Sequence, residues 1–367
     1  MGKESLRVLH IDTEKGWRGG QQQVFYLLDA LNENGFSTEL ICQPNSEIEK
    51  HCVLKGLPFH PVRMFGEADF AAGFKIARYS KKNNFNILHL HSAHALGIGV
   101  WAKIFYSRLK LIAVRRVDFH IKKNWLSQFK YNTNRLNKIV CISDGIKQVL
   151  IEDGIPLQKL IIIHSGIDLH KFDAIIPDED FKRQLGVAEH DILIGTVAAM
   201  VGHKDYPNLL KAAKIVIEKY SNVTFCAVGD GPDKNKILKL AEKLSLGNKF
   251  IFAGFRDDIG RFLRSFDIFV LASKQEGMGT SILDAQSVGL PVIACQTGGI
   301  PDIITHNQNG LLAPPSDEQA LAQAIALLVE TPILRKKLGE KALAMVKSFD
   351  IQRTVEKSIK LYQEILE

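Results

Sequence analysis

Ser273-Lys274-Gln275-Glu276-Gly277-Met278-Gly279-Thr280-Ser281-Ile282-Leu283-Asp284-Ala285-Gln286 follows an apolar run at 268–271. It reads as a strand, a glycine-bearing turn and a helix, the repeating unit of a parallel α/β sheet. The free amides of Gly279, Thr280 and Ser281 would point out of the helix N-terminus, where they and the helix dipole attract an anion such as phosphate. Glu276 stands before the turn and Asp284 about one helical turn beyond Thr280. Two carboxylates at different depths beside an anion site suit a hydroxyl-rich ligand, because ionised oxygens accept strongly from O–H groups. Taken alone, the pattern fits any parallel-sheet protein, and Glu276 serves equally well as a helix-capping carboxylate.

Outward from this unit the same alternation runs through the chain twice. Strands are expected near 7–11, 38–42, 87–91, 111–114, 138–141 and 160–163, and again near 192–197, 223–228, 249–253, 268–271 and 291–294, with helices between. Residues 168–191 lose both periods and carry charges, Pro177 and Gly186. The 367 residues thus divide into a first domain at 1–170, a linker at 171–190 and a second domain at 191–348. The closing segment 349–367 has helical apolar spacing and is expected to pack back on the first domain. The fold class is α/β: two Rossmann-like, doubly wound parallel sheets facing a central cleft, where open sheets bind ligands at the carboxyl ends of their strands.

Glu276, seven residues and then Asp284 resembles the E-x7-E motif of the retaining glycosyltransferases of family 4, which have the GT-B fold. Other fragments occur in family-like order: Gly19-Gly20 before a Gln-rich helix, Cys141-Ile-Ser143-Asp-Gly145-Ile, His164-Ser-Gly166-Ile-Asp168, Val228-Gly229-Asp230-Gly231-Pro232, Phe255-Arg256-Asp257-Asp258 and Thr297-Gly298-Gly299-Ile-Pro301-Asp302. The resemblance implies that Glu276 contacts the transferred sugar and Asp284 the nucleotide ribose. The backbone at Gly279, Thr280 and Ser281 would take the diphosphate, and Phe255 and Arg256 would border the base. Gly19, Gly20 and Gly229 join the donor-binding set. Lys204 fits the family's lysine on the loop after the second domain's first strand, but Met200 stands where its arginine is expected, so His203 or a basic residue of the facing domain would compensate. Asp284 is one methylene shorter than the usual glutamate. Such enzymes resemble metal-independent catalysts with no cofactor, in which the departing phosphate takes the acceptor proton. The loop Arg115-Arg116-Val117-Asp118-Phe119-His120 lies where relatives carry a sugar-holding histidine. Arg116 is placed at that position, with Asp118 and His120 near it.

The chain is 46% hydrophobic and 24% charged, which excludes a disordered or collagen-like protein. The longest apolar stretch, near 96–106, contains Lys103 and is too short to span a bilayer. No signal-peptide core is present, so a cytoplasmic location is expected. The five scattered cysteines form no Cys-x-x-Cys pair and read as buried thiols. The net charge of +7 is concentrated in 105–138, where Arg108, Lys110, Arg115, Arg116, Lys122, Lys123, Lys130, Arg135 and Lys138 face Asp118 alone. With Phe119, Trp125, Phe129 and Tyr131 interleaved, the segment suits an anionic membrane surface or is a solvated face whose rings belong to the core. No nucleic-acid motif accompanies it.

His89 and His91 point to one side of a strand, with His94 just beyond. Packed or acceptor-side histidines are preferred over a metal site, since no carboxylate is interleaved; His91, His94 and His120 are assigned to the acceptor side. Asp178-Glu179-Asp180 reads as a solvated helix start. Lys234 stands where the third glycine of a dinucleotide fingerprint belongs, against a dehydrogenase. The resulting expectation is transfer of a sugar from a nucleoside diphosphate sugar, with retention, to a cell-envelope glycan or lipid-linked acceptor at the inner membrane face. A nucleotide-sugar epimerase on the same fold and a non-catalytic sensor are the alternatives.

Overall fold

Arg7–Ile11 is buried along nearly its whole length, as a central strand covered on both faces must be, and forms β1. In the computed structural model, which describes residues 6–121, 125–176, 178–188 and 190–367, the chain divides into two units. One comprises Met1–Gly166 with Ile351–Glu367, the other Ile167–Asp350. The first holds β1, β2 (Ser37–Cys42), β3 (Phe59–Pro61), β4 (Ile87–Leu90), β5 (Lys110–Arg115), β6 (Leu136–Cys141) and β7 (Leu160–Ile162). These pair in the order β3-β2-β1-β4-β5-β6-β7, every neighbour parallel. The second holds β8 (Ile192–Val197), β9 (Val223–Val228), β10 (Phe250–Gly254), β11 (Ile268–Leu271), β12 (Val292–Cys295) and β13 (Leu311–Ala313). Its order is β10-β9-β8-β11-β12-β13, again all parallel.

Both sheets reverse winding at one point, between β1 and β4 and between β8 and β11, which opens a crevice at the carboxyl ends of those strands. Two helices that follow first-unit strands, Ala93–Phe105 and Asp144–Glu152, start on hydroxyl caps. Ser92 accepts from the Ala95 amide at 3.0 Å and Ser143 from the Ile146 amide at 3.3 Å, each satisfying an otherwise orphaned helix donor.

The helix Ile351–Leu366 closes the first unit. Val355, Leu361 and Tyr362 are buried against Leu6, Val8, Leu31 and Ile87, one apolar face repeating at helical spacing. Residues 171–190, read from sequence as a linker, include the helix Glu179–Gln184 and belong to the second unit. Phe181 is 3% exposed and meets Phe262 edge-on at 4.9 Å. Asp178 starts that helix, accepting from the Asp180 amide at 3.1 Å and from Arg261 at 2.8 Å, as a helix-start carboxylate should. All five cysteines are free and buried, and no described helix is long and apolar enough to cross a membrane.

Candidate functional site

Because β8 and β11 are adjacent, the loops leaving their carboxyl ends lie side by side, and that adjacency makes the site in the second unit. Lys204, on the loop after β8, forms an ion pair with the Oε2 of Glu276 on the loop after β11. The two loops are also tied by a 2.9 Å bond from the Lys274 amide to the His203 carbonyl. Both side chains of the pair are mostly buried, at 15% and 13% exposure, which strengthens their attraction over a surface pair. Ser273 Oγ donates to the same carboxylate oxygen at 3.1 Å, fixing the carboxylate's position.

Gly279 then takes the left-handed conformation, φ 78°, which a side chain would resist. It starts the helix Thr280–Ser287 without a side-chain cap and with no acidic residue in the first turn. The N-terminal amides are thus left for an anion beside the Lys204 ammonium. On the same helix, Asp284 is reached by Lys171 Nζ at 3.5 Å. Burial pushes the Asp284 carboxyl above the usual range, while Lys171 pulls it back. No sequence signal pairs residues 113 positions apart; Lys171 is found only from the fold.

Gly229 and its loop act as a brace. At φ +142°, a Cβ there would lie 2.1 Å from the Ala198 carbonyl oxygen, and the Gly229 amide donates to the Gly254 carbonyl at 2.8 Å. Met200, read as the substitute for an expected arginine, is fully buried in the second-sheet core. Its neighbour Ala199 is exposed, as is His203, and the basic side chains of the loop are His203 and Lys204. Phe255 is 73% exposed, whereas Arg256 is held by Asp258 through two 2.8 Å bonds.

In the first unit, the helix Gly19–Glu33 also begins without a side-chain cap. A Cβ on Gly20 would touch Arg116 Cδ at 3.6 Å, so Arg116 lies against the helix start. Asp12, 0% exposed, accepts from Gln21 at 2.9 Å and from the Glu14 amide at 2.7 Å and is electrostatically coupled to Arg116. Burial lowers Arg116 to about 10, and Asp12 opposes that shift.

His91 is turned inward at 5% exposure. Its Nε2 lies 2.9 Å from His10 Nδ1 and its Nδ1 lies 3.4 Å from Arg116 Nη2, so its ring rests against Arg116. His10, His89 and His91 bring three ring nitrogens within 4.8 Å of one another. The Arg116 cation beside them opposes a divalent ion there, and the rings form a hydrogen-bonded packing cluster.

A cavity of about 780 Å³ in the first unit is walled by Glu67, Asp69, His94, Arg115, His120 and Lys130, with Phe65, Val117 and Phe119 among its apolar residues. His94 and His120 thus share one wall system. His120 also bonds Asp153 at 2.9 Å. Asp118 is on the same loop but not among the lining residues.

The basic segment 105–138 does not form one face. Lys130 is 6% exposed and paired with Glu67, Arg116 is turned toward Asp12 and His91, Tyr131 is buried, and Lys138 bonds the Gln158 carbonyl at 2.8 Å. Lys122 and Lys123 lie outside the described residues, as do the side chains of Trp125 and Phe129.

Residues 177–345 match the family described as Glycosyl transferases group 1, and residues 17–171 match Glycosyltransferase Family 4. The N-acetyl-alpha-D-glucosaminyl L-malate synthase of Bacillus anthracis is 24% identical over 347 residues, covering 87% of this chain and 90% of that protein. The UDP-Gal:alpha-D-GlcNAc-diphosphoundecaprenol alpha-1,3-galactosyltransferase of Escherichia coli is 24% identical over 383 residues, covering 98% and 97%. The crystal structure of Anabaena HepE in complex with UDP superposes with a TM-score of 0.87 over 98% of this chain and 100% of that one, at 18% identity. With two doubly wound sheets and matches spanning both units, the chain belongs to glycosyltransferase family 4, the group 1 glycosyltransferases, and is a retaining, nucleotide-sugar-dependent glycosyltransferase of the GT-B fold.

Proposed function

We propose that this enzyme moves a sugar from a nucleoside diphosphate donor, with UDP as the first base to test, onto a lipid-linked or other cell-envelope glycan acceptor at the cytoplasmic face of the membrane. The observation that carries the donor half is the Lys204–Glu276 pair beside the uncapped N-terminus of Thr280–Ser287. An arriving diphosphate brings more negative charge than one carboxylate and competes for Lys204, while the helix amides take its remaining oxygens. Glu276, still held by Ser273, is then free to accept from hydroxyls of the attached sugar. Asp284, steadied by Lys171, is assigned to the ribose, and exposed Phe255 borders the base.

The chemistry asked of the protein is positioning and charge stabilisation of the leaving diphosphate, the terms from which large rate factors arise. Arg116, oriented by His91 and Asp12, is the first-unit cation assigned to the reacting sugar or its phosphate, with Gly19 and Gly20 permitting close approach. The cavity bordered by His94 and His120 is assigned to the acceptor. Support for a lipid-linked acceptor is the activity named for the Escherichia coli relative, a galactosyltransferase acting on a diphosphoundecaprenol-linked acceptor.

The test is donor binding followed by product analysis. UDP, GDP and ADP are compared by thermal shift, since a ligand bound only to the native state raises its stability. Sugar recovered on a new molecule supports transfer; an isomerised donor in its place overturns it. Lys204→Ala is expected to weaken affinity for the accepted nucleoside diphosphate about tenfold or more by calorimetry, equivalent to about 1.4 kcal/mol or more. Lys204→Arg should recover part of that loss. An unchanged dissociation constant for the alanine variant would remove Lys204 from the diphosphate site.

A further inference from the structure

We infer that the helix Phe70–Lys82 and the C-terminal end of the helix Ala93–Phe105 together form a docking surface for an anionic lipid bilayer. On the first helix Phe70 and Phe74 are four residues apart and so share a face; they are 64% and 51% exposed. On the second, Ile104 and Phe105 are 44% and 47% exposed. The Phe74 and Phe105 rings meet edge-on at 5.3 Å, which makes the two exposed faces one patch.

Gly73 is the reason they meet. A Cβ there would lie 2.5 Å from Trp101 Cβ and 3.2 Å from the Ala102 nitrogen, so the helices approach closely enough to set their outer faces edge to edge. Other large exposed apolar side chains, such as Leu157 and Ile333, stand in separate parts of the chain. Exposed apolar residues that stand singly are ordinary on a protein surface, whereas a contiguous aromatic cluster is not.

The charge around the patch selects the occupant. Lys75, Arg78, Lys82 and Arg108 are exposed, and neither 70–82 nor 101–110 contains an acidic residue. A second copy of this chain would bring the same positive charge against itself and be repelled. An anionic bilayer instead offers phosphates to the lysines and arginines and an apolar boundary to the rings, the arrangement that holds amphipathic helices in the interface plane. This goes beyond the acceptor assignment, and its readout uses no sugar substrate, so either can fail alone.

The experiment is co-sedimentation of the full chain with vesicles of phosphatidylcholine alone and of phosphatidylcholine mixed with phosphatidylglycerol, at low and high salt. Binding is expected on the mixed vesicles and to weaken with salt. Phe70→Ser/Phe74→Ser/Phe105→Ser and, separately, Lys75→Glu/Arg78→Glu/Arg108→Glu should each reduce it about tenfold or more, with circular dichroism and donor hydrolysis unchanged. If the serine variant does not fold, the charge variant, made only at exposed positions, carries the test. No binding of the unaltered chain to mixed vesicles at low salt overturns the inference, as does binding that both variants leave intact. A dimer split by the serine variant, without lipid binding, would assign the face to a second copy and also overturn it.

Discussion

Glu276→Gln should lower turnover about 10²- to 10³-fold, about 2.7–4 kcal/mol of transition-state stabilisation, while leaving the melting temperature nearly unchanged. The amide keeps the length and shape of the side chain and can still accept from Ser273, whose hydroxyl now holds the carboxylate at 3.1 Å. What it loses is the negative charge. That charge has two roles in the proposed cycle: it holds Lys204 before the donor arrives, and it accepts from the sugar as positive charge develops at the reacting carbon. Removing it frees Lys204 for the diphosphate, so UDP affinity should stay the same or rise as turnover falls. A side chain that only held the loop would give the reverse, with weaker binding and a lower melting temperature. Steady-state turnover, calorimetric UDP binding and a melting curve on one preparation separate the two. Unchanged turnover would take Glu276 out of the mechanism.

The parts of this enzyme that were readable in the sequence are those whose determinants are local. β11, the turn at Gly279 and the helix behind it are adjacent in the chain, so strand composition, a glycine and helical spacing placed Glu276 and Asp284 on one unit. β3 and β13 were missed because each is three residues long and lies at a sheet edge. There one strand contains Pro61, tolerated where one side of the ladder is unpaired. Residues 171–190 looked like a linker because Phe172 and Phe181 are too widely spaced to show a period, yet both are buried.

Position 200 shows a related limit. A sequence shows which residue occupies a loop, not which neighbour points inward, and the fold turns Met200 into the core and Ala199 out. The Lys171–Asp284 contact depends on tertiary structure alone. The uneven basic segment is the same lesson in charge: Lys130 and Arg116 count as surface cations on paper but are held by Glu67 and beside Asp12 in the folded chain.

The buried histidines give the largest expected dependence on solution conditions. Parallel register sets His10 beside His89, and the alternation along a strand sends His91 to the same side as His89. His10, His89 and His91 are 0%, 2% and 5% exposed. Among the described residues their hydrogen-bond partners are neutral or cationic: His10 with His91 at 2.9 Å, His89 with the Tyr362 hydroxyl at 2.7 Å, and His91 with Arg116 at 3.4 Å. Burial lowers His10 to about 3. Burial, and then the neighbouring histidines and Arg116, hold His89 and His91 well below the ordinary imidazole value.

In the unfolded chain each would titrate near 6.5. Between about 6.5 and the native values the unfolded chain therefore binds more protons, so stability is full above that window and falls as pH drops. With its native value near 3, His10 alone gives a slope of about 1.4 kcal/mol per pH unit, so moving from about pH 7 to about pH 5 costs about 2 kcal/mol, and His89 and His91 act in the same direction. Asp12 works the other way, since burial raises its pKa and the native state takes that proton first. Urea unfolding at the two pH values should show a steep loss of stability on acidification, and His10→Gln, which keeps a hydrogen-bonding side chain without the titration, should flatten the slope by about one ring's share. A stability that stays level between pH 7 and 5 would mean that these rings are open to water and protonated in the native protein.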